Sequence, residues 1–262
     1  MSKIAILSDI HSNLPAFQAV LRDVQASGAK DIVFLGDIVG YGASPAECVD
    51  LVRKLGGKCV MGNHEPATQA VRIRGNTCLQ PGWQQDGYQA GLAHSAKCLD
   101  AGQAQWLAQL PFTLKIPGAV VAHANLHAPQ GFGYIHDAAS AAPTLEILRN
   151  EINKVGFFGH THIPEVFTDP LQQAAVEWVD GSRFRVPAGV ACVVMVGSVG
   201  QPRHETDRRA SWVLWDPTES VVEFRKTNYN RLQTAQEFIQ AGLPLESAQR
   251  LLTEAEEAFL KS

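Results

Sequence analysis

Five short motifs in this sequence contain the residue types that bind divalent metal ions. Together they hold two aspartates, a glutamate, an asparagine and five of the nine histidines: Asp9-Ile10-His11, Gly36-Asp37, Gly62-Asn63-His64-Glu65, His123 and Gly159-His160-Thr161-His162. Imidazole and carboxylate ligands without a thiolate favour Mn, Fe, Zn, Co or Ni over copper(I), and the histidine share argues against calcium or a magnesium-only site. The sequence therefore predicts a site for transition-metal ions.

Each motif alone also has an ordinary structural explanation. Asp9 could cap the following helix, Gly36-Asp37 could form a turn, and His123 could be a hydrogen-bonded core histidine. The joint pattern is more informative, because all five motifs follow apolar runs that are typical of strands. Residues i and i+2 of an extended segment point the same way, so a pair such as His160 and His162 can direct two ligands into one pocket.

Strands and helices alternate in the first part of the chain, which predicts a parallel sheet with its ligand-binding edge at the carboxyl ends of the strands. The predicted elements are a strand at Lys3–Leu7, a helix from Asn13, a strand at Asp31–Leu35, a helix from about Ser44-Pro45 to Leu55 and a strand at Lys58–Met61. The apolar and polar spacing then predicts a hairpin around Pro117-Gly118, a helix over Pro143–Glu151 and a strand over Lys154–Phe158.

We expect one domain over residues 1–262, with a mainly helical insertion at about 65–110 whose helical signals lie around Ala67–Ile73 and Gly102–Leu110. After about residue 166 the pattern changes to short strands joined by turns, among them one over 175–179, which predicts antiparallel pairing in the second half. From residue 231 to 262 the spacing predicts a helical C-terminal segment with a break at Gly242-Leu243-Pro244.

The composition argues against several classes of protein. The formal net charge is -4 and the pI is near 6.1, so we expect neither a nucleic-acid duplex nor a membrane surface as a partner. The longest aliphatic run, Val190–Val196, is far shorter than the roughly 18 residues of a membrane span. The N-terminus lacks a signal-peptide pattern, and the five scattered cysteines suit reduced thiols. These features predict a cytoplasmic protein.

The motif series D-x-H, G-D, G-N-H-E, H and G-H-x-H resembles that of the calcineurin-like metallophosphoesterase superfamily, in particular its small bacterial and archaeal phosphodiesterase-like branch. The resemblance implies an α/β fold in which two facing mixed β-sheets form a sandwich flanked by helices. It also implies two divalent metal ions, with Asp37 bridging them. The first ion would be held by Asp9, His11, Asp37 and His162, and the second by Asp37, Asn63, His123 and His160.

The family resemblance further implies a dinuclear phosphoesterase that hydrolyses small phosphodiesters or nucleotide-like phosphates. Two divalent ions lower the pKa of a shared water, and the resulting bridging hydroxide attacks the phosphorus. His64 follows a ligand in the chain and resembles the family's non-ligand histidine, the candidate general acid for the leaving alkoxide.

One departure from the family pattern, and one further resemblance, bear on the substrate. The protein-phosphatase branch continues its second motif with an Asp-Arg pair, where this chain has Gly40-Tyr41, so we do not expect a protein phosphatase. Arg203, in a segment that resembles one in the phosphodiesterase-like branch, is a candidate phosphate ligand, with a solvated loop arginine as the alternative. Five aromatic residues are candidates for stacking on a nucleobase, with core packing as the alternative: Tyr41, Trp83, Tyr88, Phe132 and Tyr134.

The sequence leaves two other functions open. One is a nucleotide phosphatase or dinucleoside polyphosphate hydrolase. The other is a metal-binding interaction scaffold of the same fold, as in members that have lost part of the metal set. All the ligand positions are filled here and His64 is present as well, which favours an enzyme.

Overall fold

The computed structural model describes residues 1–168, 177–178, 182–186, 188–204 and 206–258. Within these ranges the strands form two sheets. The first sheet contains β1 (Ile4–Leu7), β2 (Asp31–Phe34), β3 (Lys58–Cys59), β8 (Glu177–Trp178), β9 (Arg183–Arg185), β11 (Ala210–Asp216) and β12 (Val221–Thr227). Its order is β3-β2-β1-β11-β12-β9-β8, with the first three strands parallel and β11 antiparallel to β1.

The second sheet contains β4 (Thr113–Ile116), β5 (Ala119–Ala122), β6 (Val155–Phe158), β7 (Pro164–Thr168) and β10 (Cys192–Val196), in the order β4-β5-β6-β10-β7. The predicted hairpin around Pro117-Gly118 is present as β4 and β5. Strands β5, β6 and β10 run parallel to one another. Both sheets are therefore mixed.

The two sheets pack face to face. Ile6 and Val213 of the first sheet share one buried apolar cluster with Val121, Phe157 and Val194 of the second. The outer faces are covered by helices: α1 (Leu14–Ala26) and α2 (Pro45–Leu55) pack on the first sheet, and α6 (Ala138–Asn150) packs on the second. This sandwich confirms the predicted fold class.

Helices fill much of the segment predicted as an insertion. They are α3 (His64–Arg74), α4 (Gly87–Cys98) and α5 (Ala101–Ala108). The C-terminal segment forms α7 (Arg231–Gln240), α8 (Leu245–Gln249) and α9 (Glu254–Glu257), around an apolar cluster of its own. The division into one domain with an insertion stays a prediction.

Three local predictions were wrong. The second half of the chain is not wholly antiparallel, because β10 pairs in parallel with β6. Helix α6 begins at Ala138 and not at Pro143, since Asp137 caps it by accepting a hydrogen bond from the Ser140 amide. Helix α4 was missed, because its apolar spacing is weak and Gly87 and Gly91 interrupt it. The predicted strand over 175–179 lies largely outside the described residues.

None of the helices in the described ranges combines the length and the apolar character needed to cross a membrane.

Candidate metal centre

The predicted ligands converge at one end of the sandwich. Asp9 and His11 follow β1, Asp37 follows β2, His123 follows β5, and His160 and His162 follow β6. Five of these side chains stand on backbone in the left-handed region, with φ between 48° and 68°: Asp9, His11, Asp37, His160 and His162. Non-glycine residues rarely adopt this conformation, and strained backbone of this kind concentrates at functional sites.

The first group joins Asp9, His11 and His162. The Nε2 atoms of His11 and His162 are 3.0 Å apart, and they lie 3.6 and 3.1 Å from Asp9 Oδ1. Asp37 Oδ2 completes the group at 3.8 Å from His11 Nε2. With metal–ligand bonds of about 2.0–2.2 Å, separations of this size suit ligands that share one ion.

The second group surrounds His123. Its Nε2 lies 3.2 Å from Asn63 Oδ1, 3.2 Å from His160 Nδ1 and 3.3 Å from Asp37 Oδ2. Asp37 Oδ2 therefore belongs to both groups. The structure thus brings together all seven residues predicted as ligands; six of them are buried, and Asn63 is partly buried.

The hydrogen bonds made by the histidine Nδ1 atoms, which face away from the site, show whether a cation fits between the Nε2 atoms. Nδ1 of His11 faces the Val39 carbonyl, and Nδ1 of His162 faces the Gln201 carbonyl at 2.6 Å. A carbonyl oxygen can only accept, so in neutral rings the proton lies on Nδ1 and the two Nε2 lone pairs point at each other. His123 Nδ1 likewise faces the Leu35 carbonyl. Facing lone pairs repel unless a cation lies between them, so these residues fit a metal ion.

The carboxylates divide their oxygens between the backbone and the site. Asp9 Oδ2 accepts from the His160 amide, while the buried Oδ1 has no hydrogen-bond partner among the described residues. Asp37 Oδ1 accepts from the His64 amide at 2.8 Å, which leaves Oδ2 for the histidines. An oxygen without a partner is costly in a buried position, and coordination to an ion would satisfy it.

The electrostatics suit cation binding. Burial alone would raise the pKa of the Asp37 carboxyl, but His123 and His64 hold it well below its usual range. Burial lowers the pKa of His160 and of His162 to about 4, so these rings are neutral near pH 7. Burial opposes protonation of His123 too, yet the Asp37 carboxylate raises its pKa to about 10. A metal ion binding there would displace that proton.

His64 lies beside the cluster, within an aromatic cage. Its Nε2 is 3.7 Å from Asp37 Oδ2, and Tyr41 and Tyr88 pack against its ring at 4.9 and 4.8 Å between centroids. Its buried Nδ1 has no hydrogen-bond partner in the part of the chain that the structure describes, and it abuts Gly40. Burial lowers the pKa of His64 to about 3, so the free protein holds a neutral ring.

Glu65 connects two of the motif loops, a role that the sequence pattern did not indicate. Its carboxyl group accepts hydrogen bonds from the amides of Asp37, Ile38 and Gly62, at 2.7–3.0 Å. Burial, with Asp37 nearby, raises its pKa to about 7. Glu65 thereby holds the loop after β2 against the loop after β3.

Four of the five aromatic candidates adjoin the ligands. Tyr134 stacks on His160 at 3.9 Å, Phe132 meets His123 edge-on at 5.9 Å, and Tyr41 and Tyr88 cage His64. Trp83 instead lines a cavity of about 470 Å³ between α3 and α4. Aromatic side chains therefore form part of the wall around the centre.

Arg203 lies at the same end of the fold. Gln201, two residues earlier, accepts the His162 hydrogen bond, and the charge of Arg203 acts on both His162 and Tyr41. The Arg203 Nε atom is buried and has no hydrogen-bond partner within the described ranges. Its position is compatible with the predicted contact to a phosphate.

The sequence matches the profile of calcineurin-like phosphoesterases over residues 2–164. The chain belongs to the calcineurin-like phosphoesterase family. Membership makes it a phosphoric ester hydrolase, and the family is metal-dependent, in keeping with the Asp and His groups.

Related proteins extend this calcineurin-like phosphoesterase assignment over nearly the whole chain. An uncharacterized protein of Methanocaldococcus jannaschii is 30% identical over 259 residues, which are 95% of this chain and 97% of that protein. The crystal structure of a metallophosphoesterase from Sphaerobacter thermophilus is similar with a TM-score of 0.80 and 32% identity, covering 95% and 98% of the two chains. A hypothetical protein from Pyrococcus horikoshii has the same fold, with a TM-score of 0.76, 18% identity and coverage of 97% and 98%.

Proposed function

We propose that the protein is a dinuclear metal-dependent phosphoesterase that hydrolyses small phosphodiesters or nucleotide-like phosphates. The observation that carries this proposal is the pair of ligand groups sharing Asp37 Oδ2, with two histidine ring nitrogens facing each other within each group. Asp9, His11, Asp37 and His162 would hold one ion, and Asp37, Asn63, His123 and His160 the other. Two divalent ions in such a site supply an activated water and stabilise charge on the phosphoryl oxygens.

The chain's own residues orient the reaction. The Asp9 and Asp37 carboxylates are fixed by backbone hydrogen bonds, so the ligand set is rigid before substrate binds. His64 Nε2 faces the cluster, where it can deliver a proton to the leaving oxygen. Arg203 would hold a phosphoryl oxygen, and the aromatic wall excludes water from one side of the site.

The loop after Asp37 favours a diester over a monoester. A Cβ atom at Gly40 would lie 1.9 Å from His64 Nδ1, and Gly40 has φ of +89°, so the acidic residue of the protein-phosphatase branch cannot occupy this place without a rearrangement. Tyr41 follows, where an arginine would supply extra positive charge. A monoester dianion needs that charge more than a diester monoanion does.

We therefore expect bis-p-nitrophenyl phosphate to be hydrolysed faster than p-nitrophenyl phosphate when the protein is loaded with Mn(II). The comparison uses kcat/KM for both esters, with a chelator-treated sample as the control. A monoester preference of about tenfold, or about 1.4 kcal/mol in transition-state stabilisation, would make a phosphomonoesterase the better assignment. A protein with two bound ions that hydrolyses neither ester would instead support the interaction-scaffold alternative.

Arg203→Ala is expected to raise KM for the diester about tenfold, because a charge-assisted hydrogen bond to the phosphate is lost. Arg209→Ala is the matched control, since the guanidinium of Arg209 is already paired with Asp207 at 2.9 Å. Steady-state kinetics with the Mn(II)-loaded proteins measure both variants. An unchanged KM in Arg203→Ala would show that Arg203 does not contact the phosphate and is a solvated loop arginine.

A further inference from the structure

We propose that the hydroxyl of Tyr41 donates a hydrogen bond to a phosphoryl oxygen of the substrate, which makes Tyr41 a further catalytic residue of this site. The inference rests on the proposed phosphoesterase function and adds a residue for which the motif pattern offered only ring stacking.

The Tyr41 ring lies between the metal ligands and His64. It meets the His11 ring edge-on at 4.8 Å and an interplanar angle of 87°, and it lies 4.9 Å from the His64 ring. Only 8% of the residue is exposed. The ring is therefore held beside both a predicted ligand and the predicted proton donor.

The backbone around Tyr41 is fixed in an uncommon conformation. Tyr41 has φ of +55°, and the preceding Gly40 amide donates to Ser95 Oγ on α4. Gly91 of the same helix approaches so closely that a Cβ atom there would lie 2.1 Å from the Tyr41 amide nitrogen. A strained tyrosine persists only where its surroundings enforce it. Helix α4, which the sequence analysis missed, thus positions Tyr41 toward the centre.

The Tyr41 hydroxyl is available to a ligand. It has no hydrogen-bond partner among the described residues, and Tyr41 keeps 8% of its surface exposed. The partly buried Tyr229, by contrast, accepts from Asn13 Nδ2 at 3.3 Å. The free donor of Tyr41 lies close enough to Arg203 for the two groups to interact electrostatically, and Arg203 Nε also lacks a partner.

Two free donors beside a metal centre suit an anionic oxygen. The phenol is neutral, since tyrosine keeps its proton near pH 7. A neutral donor adds a hydrogen bond without adding charge, so it suits a singly charged phosphodiester. Arg203 and Tyr41 would then bind the phosphate group from the side that His11 and His162 occupy.

Tyr41→Phe tests the proposal, because it keeps the ring against His11 and His64 and removes only the oxygen. We expect kcat/KM for bis-p-nitrophenyl phosphate to fall about ten- to a hundredfold. Calorimetry of the Mn(II)-loaded protein should show Kd for inorganic phosphate raised about tenfold. Metal content and Tm should be unchanged. Tyr229→Phe, which removes a tyrosine hydroxyl that belongs to neither ligand group, should leave kcat/KM and the phosphate Kd unchanged.

The outcomes separate this inference from the function on which it rests. If Tyr41→Phe retains wild-type kcat/KM and phosphate affinity while the wild type is active, the role of Tyr41 is wrong and the phosphoesterase proposal stands. If Tyr41→Phe loses metal, the hydroxyl acts on the ligand cluster, and the proposal is also overturned. If the wild type with two bound ions neither hydrolyses an ester nor binds phosphate, both proposals fail.

Discussion

Asp37→Asn is expected to remove both metal ions, and hydrolysis with them. Asp37 Oδ2 lies 3.8 Å from His11 Nε2 in one ligand group and 3.3 Å from His123 Nε2 in the other. An amide oxygen carries no formal charge and leaves two cations to repel each other across the bridge. We expect kcat/KM for a diester to fall by about 10³-fold or more.

Elemental analysis decides this prediction. The wild type should contain about two transition-metal ions per chain, and the variant should contain far fewer. Asp31→Asn is the matched control. Asp31 begins β2, the strand that precedes Asp37, and its exposed carboxylate accepts a hydrogen bond from the Ser2 hydroxyl. Two ions in Asp37→Asn together with unchanged turnover would contradict the shared ligand and with it the dinuclear site.

His64→Gln is expected to retain both ions while lowering kcat, by about 10² to 10⁴ for substrates with poor leaving groups. Burial keeps the free ring neutral, and an anionic phosphate bound beside it favours the protonated form that can act as an acid. A glutamine side chain still fills much of the space between Tyr41 and Tyr88 but cannot deliver a proton. A nitrophenolate leaves readily without a proton, so its hydrolysis should fall less.

The contrast between leaving groups is the measurement that separates the roles of His64. Kinetics on an alkyl and a nitrophenyl diester, with metal analysis of the same samples, give both quantities. Loss of a metal ion in His64→Gln would show that His64 is a ligand. The geometry permits that role, because a ring nitrogen of His64 lies close to ligand atoms of His11 and Asp37. Equal losses on both substrates would show that it positions the phosphate.

The calcineurin-like family and the fold class were predictable because they depend on local patterns. Apolar runs ending in Asp9, Asp37 or His123 indicate strands whose polar ends meet at one edge, and the order of five such motifs is specific. The apolar character of each run is visible in the sequence without knowledge of its pairing partner, so the hydrophobic pattern recovers most of β1 to β6. The N-cap of α6 at Asp137 is a local signal too. The predicted helix nevertheless started at Pro143, because proline is common in the first turn of a helix, and the predicted N-terminal boundary was therefore wrong.

Contacts between distant residues decided the rest. Parallel pairing of β10 with β6 places Met195 opposite Phe158, and periodicity in neither strand specifies a partner. Glu65 bonds to amides 27 and 28 residues earlier, and Ser95 to an amide 55 residues earlier. The sequence by itself determined the metal-binding chemistry, because ligand types and strand ends are local properties. Only the tertiary structure decided that Asp37 faces both ligand groups and that α4 holds Tyr41 beside them, because those arrangements depend on how separate elements pack.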